Sequence, residues 1–314
     1  NTIYKSVDGN LYTKDGKTLV QYCVGKAATS FTVPSDVETI GDYAFAGCES
    51  LVSVEIFGNV EKIGDYAFYH CDKLKSATIG NSVKNIGDSA FSSCKALASL
   101  SISNGVKNIG YQAFADCASL ASVVIPGSVE SIDDYAFYNC IRLGSVTIGN
   151  GVETIGASAF SFCDALTSVT IPNSVESIGR EIFEYCTSLR SITIGTGVKS
   201  IGPGAFSGCS SLANMTLPCA FEKFGYIFGT ISYAGSTSVR QTEIYYVPTS
   251  LTSVTVTVGD IPDAAFCNCS MLTSVTIGNG GTSIGGGAFA HCTSLSSIEI
   301  PDSVLYIGDH CFDS

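Results

Sequence analysis

Short stretches of alternating hydrophobic and polar residues recur along the chain at a fixed interval. In Ser53–Phe57, Val54 and Ile56 alternate with Ser53, Glu55 and Phe57. This two-residue period and the β-branched side chains predict a short strand whose Val54 and Ile56 face a core while the other three face outward. Since successive copies run in the same direction, we expect the strands to pair in parallel.

The full repeating unit reads Ile-Gly-x-x-Ala-Phe-x-x-Cys-x-x-Leu-x-Ser-Val-x-Ile and has a period of 23 residues. Its phenylalanine is present in every copy. The copies are Phe45, Phe68, Phe91, Phe114, Phe137, Phe160, Phe183, Phe206, Phe266, Phe289 and Phe312. A unit of this length cannot bury its own apolar face, so stacked coils sharing one core are expected.

The Ala-Phe-x-x-Cys stretch is expected on the side opposite the strand, as a short helical turn. The Ile-Gly pair indicates a bend whose glycine needs a positive φ. Asp133 replaces that glycine in one copy, and Asp is among the residues that tolerate this region. The predicted fold is therefore an α/β repeat solenoid with a parallel concave β-sheet.

Residues 1–34 do not carry the repeat. Asp15-Gly16 lies between two strand-like segments and predicts a β-hairpin. A terminal coil would otherwise expose its apolar face, so we interpret 1–34 as an N-terminal β-hairpin cap and 35–314 as the repeat solenoid.

An insertion at about 219–246 interrupts the repeat and is rich in aromatic residues. These are Phe221, Phe224, Tyr226, Phe228, Tyr233, Tyr245 and Tyr246. Insertions in repeat proteins often lie on the binding face. The alternative, that the aromatic side chains fill a local bulge of the core, stays open.

The net charge is −12 over 314 residues, which argues against nucleic acid and anionic membranes as partners. No apolar run is long enough to span a membrane. The chain starts at Asn1 rather than Met, so we expect that a leader has been removed and that the protein is secreted or on the cell surface.

Cysteines occupy one position of the repeat in ten copies. These are Cys48, Cys71, Cys94, Cys117, Cys140, Cys163, Cys186, Cys209, Cys269 and Cys292. A buried, reduced ladder is favoured because cysteine behaves as a small hydrophobe. A disulfide ladder and a metal site are the alternatives.

No other residues form a recognisable catalytic or metal-binding pattern. His70 and His291 immediately precede the repeat cysteine, as turn residues would, and metal-ligand spacing is missing. Acidic residues after Ile-Gly, such as Asp42 and Asp65, are expected to cap the helical turn, with calcium binding as the alternative; Asp88 and Asp309 share this position. We predict no cofactor and no enzymatic activity.

Two surfaces are candidates for binding. The outward strand positions form a hydroxyl ladder that suits a protein or glycan, or merely keeps a parallel sheet soluble; it includes Ser145, Thr147, Ser168, Thr170, Ser191 and Thr193. Aromatic residues are enriched at interfaces, and those expected on the other face are Tyr66, Tyr69, Tyr135, Tyr138, Phe162 and Tyr185. Within the insertion, the candidates are Tyr226, Phe228, Tyr233, Tyr245 and Tyr246.

The unit resembles the BspA-like, or treponemal-type, leucine-rich repeat, as in Ile63-Gly64-Asp65-Tyr66-Ala67-Phe68-Tyr69-His70-Cys71 and the proline-bearing Ile171-Pro172-Asn173-Ser174-Val175. The resemblance implies a right-handed superhelix and a bacterial, or sometimes protozoan, surface protein. It also implies adhesion to host or microbial molecules, without catalytic residues. The function expected is non-enzymatic binding by a monomer, and the alternative is a spacer that displays another domain.

Overall fold

The computed structural model describes residues 1–23 and 25–313. They divide into two compact units, Asn1–Asp164 and Ala165–Ser314. Within each unit the chain forms a β-solenoid of parallel strands.

Each coil of the first unit contributes one longer and one two-residue strand. The longer strands are Ser30–Thr32, Ser53–Ile56, Ser76–Ile79, Ser99–Ile102, Ser122–Ile125 and Ser145–Ile148. The short strands are Thr39–Ile40, Lys62–Ile63, Asn85–Ile86, Asn108–Ile109, Ser131–Ile132 and Thr154–Ile155. Equivalent residues pair in register, as Ser53 does with Ser76. The prediction of parallel strands is therefore confirmed.

Three antiparallel strands, Tyr4–Val7, Asn10–Thr13 and Thr18–Gln21, precede the coils. The third pairs in parallel with Thr39–Ile40 and so joins the ladder of short strands. Tyr22, which is 1% exposed, stacks on Phe45 with 4.8 Å between ring centroids. That this segment acts as a cap stays a prediction.

The second unit has the same plan, interrupted once. Its longer strands, paired in chain order, are Ser168–Ile171, Ser191–Ile194, Asn214–Leu217, Ser253–Val256, Ser274–Ile277 and Ile298–Glu299. Its short strands are Ser177–Ile178, Ser200–Ile201, Ser283–Ile284 and Tyr306–Ile307. The interruption contains a 3-10 helix, Phe224–Phe228, and an antiparallel hairpin, Ser236–Arg240 with Ile244–Pro248.

The repeat phenylalanines form a column through the core of each unit. In the first unit, Phe45 through Phe160 are fully buried. Phe114 and Phe137 are typical, with ring centroids 5.2 Å apart and planes 12° from parallel. This separation is close to the spacing of paired strands, so one translation brings both the backbones and the rings into contact.

The expected helical turn is wrong, and the described residues contain only the 3-10 helix just named. The turn cannot be helical because alternate N–H groups donate to the next coil. Phe45 N donates to the Ala67 carbonyl at 2.7 Å and Tyr43 N to the Asp65 carbonyl at 2.9 Å. Tyr43 also has a φ of 57°, which a right-handed helix does not allow. The fold class is therefore β rather than α/β.

The expected positive φ at the Ile-Gly glycine is also wrong. Gly64 does not have one; the residue two places on, Tyr66, has a φ of 56°. A Cβ on Gly64 would lie 2.7 Å from the carbonyl carbon of Gly41 and 2.5 Å from Asp42 Oδ1 in the preceding coil. Glycine is needed here because the coils approach closely.

Candidate binding site in the insertion

Most aromatic side chains of the insertion belong to the core. Phe224 and Phe228 are fully buried, and Phe221 and Tyr245 are 7% and 6% exposed. Phe228 lies 6.1 Å from Phe206 and Phe224 lies 4.8 Å from Phe266, measured between ring centroids. Phe224 and Phe228 continue the phenylalanine column through the interruption, so Phe228 is part of the core. Tyr245, although mostly buried, lines the recesses described below, and the binding role of both residues stays a prediction.

The 3-10 helix replaces the turn of one missing coil. Gly204 N donates to the Tyr226 carbonyl at 3.1 Å, and Phe206 N donates to the Ile227 carbonyl at 2.9 Å. On the other side, Phe224 N donates to the Ala265 carbonyl at 2.9 Å. These bonds have the pattern found between ordinary coils, so the insertion is continuous with the hydrogen bonding of its unit.

Gln241, in the tip of the hairpin, fastens the hairpin to the solenoid. Its Nε2 donates to the carbonyls of Ala265 and Cys267 at 2.8 and 3.2 Å, and its Oε1 accepts from Gly225 N at 3.0 Å. A half-buried amide with three partners holds the hairpin in one position. Its residues therefore form a fixed surface.

Tyr226 is the insertion aromatic that stays exposed, at 42%. It lines two recesses. The first, of about 290 Å³, is also lined by Glu181, Glu184, Ile231, Glu243 and Tyr245. The second, of about 500 Å³, is also lined by Phe221, Glu222, Lys223, Thr242 and Tyr245.

The other two candidate tyrosines of the insertion are half-buried. The hydroxyl of Tyr233 is buried with no hydrogen-bond partner, and burial raises the pKa of Tyr233. Tyr246 belongs to the hairpin, where its N–H donates to the Gly229 carbonyl at 3.0 Å. Neither residue lines the two recesses.

The first recess is acidic. Of the described residues that line it, three are glutamates and none is lysine or arginine. Burial, and then repulsion by Glu181, raises the pKa of the Glu184 carboxyl. The second recess contains both Glu222 and Lys223, so its charges are mixed.

The hydroxyl candidates lie on the longer strands and not beside the recesses. In the second unit Ser168 pairs with Ser191 and Thr170 with Thr193. All are exposed except Ser191, which is half-buried. In the first unit Ser145 and Thr147 are exposed and pair with Ser122 and Val124. Their binding role stays a prediction.

The candidate aromatic residues of the repeat turns form ring contacts. Tyr66 and Tyr69 lie 5.5 Å apart, as do Tyr135 and Tyr138. These four are half-buried, and so are Phe162 and Tyr185. Tyr43, 53% exposed and stacked on Tyr66, and Tyr111, 39% exposed, complete the surface. Sequence reasoning missed these two, although Tyr43 occupies the same repeat position as Tyr66.

The repeat cysteines are buried and bond to the preceding coil. Cys94 Sγ donates to the Phe68 carbonyl at 3.1 Å, and Cys140 Sγ donates to the Phe114 carbonyl at 3.3 Å. Burial raises the pKa of Cys140 to about 12. All fourteen cysteines, which lie within the described residues, are thiols. The ten repeat cysteines pack as small buried residues.

The aspartates after Ile-Gly act between coils. Asp42 Oδ1 accepts from Asp65 N at 2.9 Å, and Asp65 Oδ1 accepts from Asp88 N at 3.0 Å. Asp134, which occupies the same repeat position, likewise accepts from Ala157 N in the next coil at 2.6 Å. The predicted acceptor role is correct, but the bonds link coils rather than cap a helix. Within residues 1–23 and 25–313, no group of three acidic, Cys or His side chains could hold a metal ion.

Comparison with known proteins decides the family. The model of the BspA type leucine-rich repeat region matches in six copies, over residues 21–144, 130–231 and 237–314. The chain belongs to the BspA-type leucine-rich-repeat family. Proteins with these repeats are typically non-enzymatic and serve in binding or as scaffolds.

Two solved structures of leucine-rich-repeat proteins resemble this BspA-type chain. A leucine rich cell surface protein from Faecalibacterium prausnitzii A2-165 is 28% identical, with a TM-score of 0.59, 97% of this chain covered and 90% of the other. A leucine-rich repeat protein from Bacteroides ovatus ATCC 8483 is 25% identical, with a TM-score of 0.50, 99% of this chain covered and 91% of the other. No curated protein matches. In the described residues, no helix is long and apolar enough to cross a membrane.

Proposed function

We propose that this BspA-type protein is a cell-surface or secreted adhesion protein that binds host or microbial proteins or glycans. The observation that carries the proposal is the insertion. It restores the core of its unit while leaving Tyr226 exposed between two recesses. An insertion that served packing alone would have no need of an exposed aromatic side chain beside fixed polar groups.

Three further observations support a binding role. Aromatic residues are enriched at interfaces. The likeness to a leucine rich cell surface protein favours a surface or secreted location. The net charge of −12 disfavours nucleic acid as the partner. We propose a monomer, with the exposed strand hydroxyls, such as Thr170 and Thr193, as a secondary surface.

The test compares point variants in a panel of matrix proteins and surface-immobilised glycans. Deleting the insertion is unsuitable because Phe224 and Phe228 are core residues. Tyr226→Ala removes the exposed ring, and Tyr4→Ala removes a similarly exposed ring, 38% against 42%, outside the candidate surfaces as the control. We expect Tyr226→Ala to weaken binding of any panel ligand at least about thirtyfold, which corresponds to the 2 kcal/mol that marks a hot-spot residue, and Tyr4→Ala to leave it unchanged.

If both variants bind a panel ligand as tightly as the unchanged protein does, the binding surface does not lie at the insertion. If the panel yields no ligand at all, the adhesion proposal fails, and a spacer that displays another domain becomes the better interpretation.

A further inference from the structure

The ladder of short strands in the second unit lacks one strand beside the insertion. Ser200–Ile201 pairs in parallel with Ser177–Ile178 of the preceding coil, but no strand of the described residues pairs with its other edge. The ladder resumes at Ile261, which pairs with Ile284. Between these points, the segment 218–223 joins a longer strand to the 3-10 helix without forming a strand itself. One edge of Ser200–Ile201 is therefore open.

The open edge carries backbone groups of Ile201. In the preceding coil, the carbonyl of the equivalent Ile178 accepts from Gly202 N at 2.9 Å, whereas no described residue donates to the Ile201 carbonyl. In a parallel ladder, the N–H and C=O of such a residue point to the same neighbouring strand, so the Ile201 N–H also points to the open edge. Ile201 is only 4% exposed. Because buried backbone groups are nearly always paired, this edge is suited to accept a further strand.

The second recess borders this open edge. Ser200 and Ile201 line it together with Ala220, Phe221 and residues of the helix and hairpin. Its volume of about 500 Å³ lies within the range of about 300–1,000 Å³ that is usual for ligand sites. A strand needs a separation of only about 4.8 Å from its neighbour, so the recess offers room for a short extended segment beside the edge.

The lining of the recess is fixed before any ligand binds. The ring of Tyr245 packs so closely on the helix that a Cβ on Gly225 would lie 2.5 Å from its Cδ2 atom. The Tyr245 hydroxyl also lies within hydrogen-bond distance of Thr242 Oγ1, at 3.1 Å. Phe221 makes a T-shaped contact with Phe224, with 5.6 Å between ring centroids. Groups already held in place lower the entropic cost of binding.

The coil that resumes the ladder does not supply the missing hydrogen bond. Pro262 follows Ile261 at the position where Gly202 follows Ile201, and proline has no N–H to donate. An extended peptide does fit an open edge, because its backbone carries N–H and C=O groups at the spacing of the ladder.

The side chains of the recess favour an aliphatic segment without net charge. Phe221 and Tyr245 are mostly buried and contribute apolar surface. Glu222 and Lys223 carry opposite charges, so neither sign is selected, and Lys223 Nζ already donates to the Asp263 carbonyl. An ordinary strand of the ladder has the matching pattern, a buried isoleucine preceded by a polar residue.

We infer that the second recess binds an extended segment of a protein partner, which adds as a parallel strand to Ser200–Ile201 in the place of the missing strand. The inference rests on the proposed binding function and specifies that the partner is a protein rather than a glycan.

The first test uses a probe copied from the ladder itself. The capped peptide Val-Glu-Ser-Ile-Gly-Arg has the sequence of residues 175–180 and no net charge. In its matched control, N-methylglycine replaces the glycine and removes the N–H that would donate to the Ile201 carbonyl. NMR titration of the full chain should show at least about fivefold weaker binding of the control, because a hydrogen bond is lost and a buried acceptor is left unpaired.

Amide hydrogen exchange of Ile201 gives a second measurement, with Ile178 as the internal control. In the free protein, the Ile201 N–H should exchange at least about tenfold faster than that of Ile178, because only Ile178 has a partner strand on that side. Saturation with the unmodified peptide should slow the exchange of Ile201 at least about tenfold and leave that of Ile178 unchanged.

A matched pair of variants locates the site. Ala220→Trp places a large side chain in the recess and should weaken peptide binding at least about tenfold, because the indole and the peptide would compete for one space. Ala96→Trp changes an equally half-buried alanine that does not line the recess. It should alter the affinity by less than about twofold, as expected for an independent site. Circular dichroism verifies that both variants fold.

Equal binding of the two peptides, including no binding of either, would overturn the inference, and so would equal exchange of Ile201 and Ile178 in the free protein. If Ala220→Trp keeps its affinity for a panel ligand that Tyr226→Ala loses, the inference fails and the proposed function stands. If Ala220→Trp loses a panel glycan while neither peptide binds, the inference also fails alone. If the peptide binds as expected but no protein or glycan of the panel does, only the adhesion proposal fails.

Discussion

Gly87→Ala tests whether the Ile-Gly glycine is needed for close approach between coils. A Cβ on Gly87 would lie 2.7 Å from the carbonyl carbon of Gly64 and 2.5 Å from Asp65 Oδ1. The carboxylate of Asp65 would have to move. It would then lose the hydrogen bond that Asp65 Oδ1 accepts from Asp88 N at 3.0 Å. The substitution should therefore both strain the backbone and break a bond between coils.

The expected cost combines two effects. Overpacking costs about 1–3 kcal/mol, and the lost hydrogen bond costs about 1 kcal/mol, so Gly87→Ala should destabilise the first unit by about 2–4 kcal/mol. Gly127→Ala is the matched control. Its φ is not in the left-handed region, and a Cβ there would meet only Asn150 N at 3.8 Å. It should be neutral, or stabilising by up to about 1 kcal/mol, because alanine restricts the unfolded chain.

Urea denaturation followed by circular dichroism measures both free energies. One coil of the protein has Asp133 in place of the Ile-Gly glycine, and the coil before it has Tyr111 in place of the aspartate that a Cβ would otherwise meet. This pairing suggests a second experiment in which that aspartate is removed. Gly87→Ala should therefore cost less in an Asp65→Ala background, and a double-mutant cycle isolates the share due to the carboxylate. Equal stability of Gly87→Ala and Gly127→Ala would refute the close-approach argument.

Three further predictions concern the core, the thiols and acid stability. Phe137→Ala should lower the free energy of unfolding by about 3–5 kcal/mol in the same urea assay, whereas Phe57→Ala, at a side chain 45% exposed, should lower it by less than about 0.5 kcal/mol. Similar losses for the two variants would contradict the assignment of the phenylalanine column to the core. Thiol titration should find fourteen reactive groups after denaturation but slow reaction of Cys140 in the folded protein, since burial raises its pKa to about 12; rapid native reaction would contradict this packing. Hydrogen bonds from Thr282 N and Ser283 N lower the pKa of Asp260 from 3.8, so its stabilisation is complete above that value and is lost as the pH falls through the lowered pKa; Asp260→Asn should flatten the loss of stability below about pH 4, and an unchanged profile would contradict the assignment.

The sequence predicts the features of this fold that repeat by translation. The 23-residue interval, the alternation in Ser53–Ile56 and the invariant phenylalanine determine parallel strands and a shared core, and both are present. Local patterns suffice there because each coil meets only copies of itself.

The turns were beyond sequence reasoning for a physical reason. Ala-Phe-x-x-Cys is compatible with a helical turn, and only the position of the next coil diverts alternate N–H groups, such as that of Phe45, into bonds between coils. The need for Gly64 likewise arises from the preceding coil and not from its own φ. Both features depend on distances between segments that a single repeat does not contain.

The sequence locates the insertion but does not show which of its aromatic side chains are buried and which are exposed. Phe224 and Phe228 become core residues because the 3-10 helix takes the place of a repeat turn, while Tyr226 points away from it and stays exposed. Their spacing alone does not distinguish a rebuilt coil from a protruding loop. The requirement that the phenylalanine column continue through the insertion would have identified two of its aromatic residues, Phe224 and Phe228, as core residues.

The same reasoning explains why the insertion is the place to seek specificity. Translation of one coil gives each unit similar surfaces at successive positions, such as the exposed hydroxyls of Thr170 and Thr193, and such surfaces offer a ligand many nearly equivalent registers. A recess with one set of groups requires a break in the translation. The hairpin supplies it by placing Glu243 near Glu181 and Glu184 of a repeat turn. Because Gln241 and the rebuilt phenylalanine column hold that hairpin in place, the break adds a defined recess without opening the core.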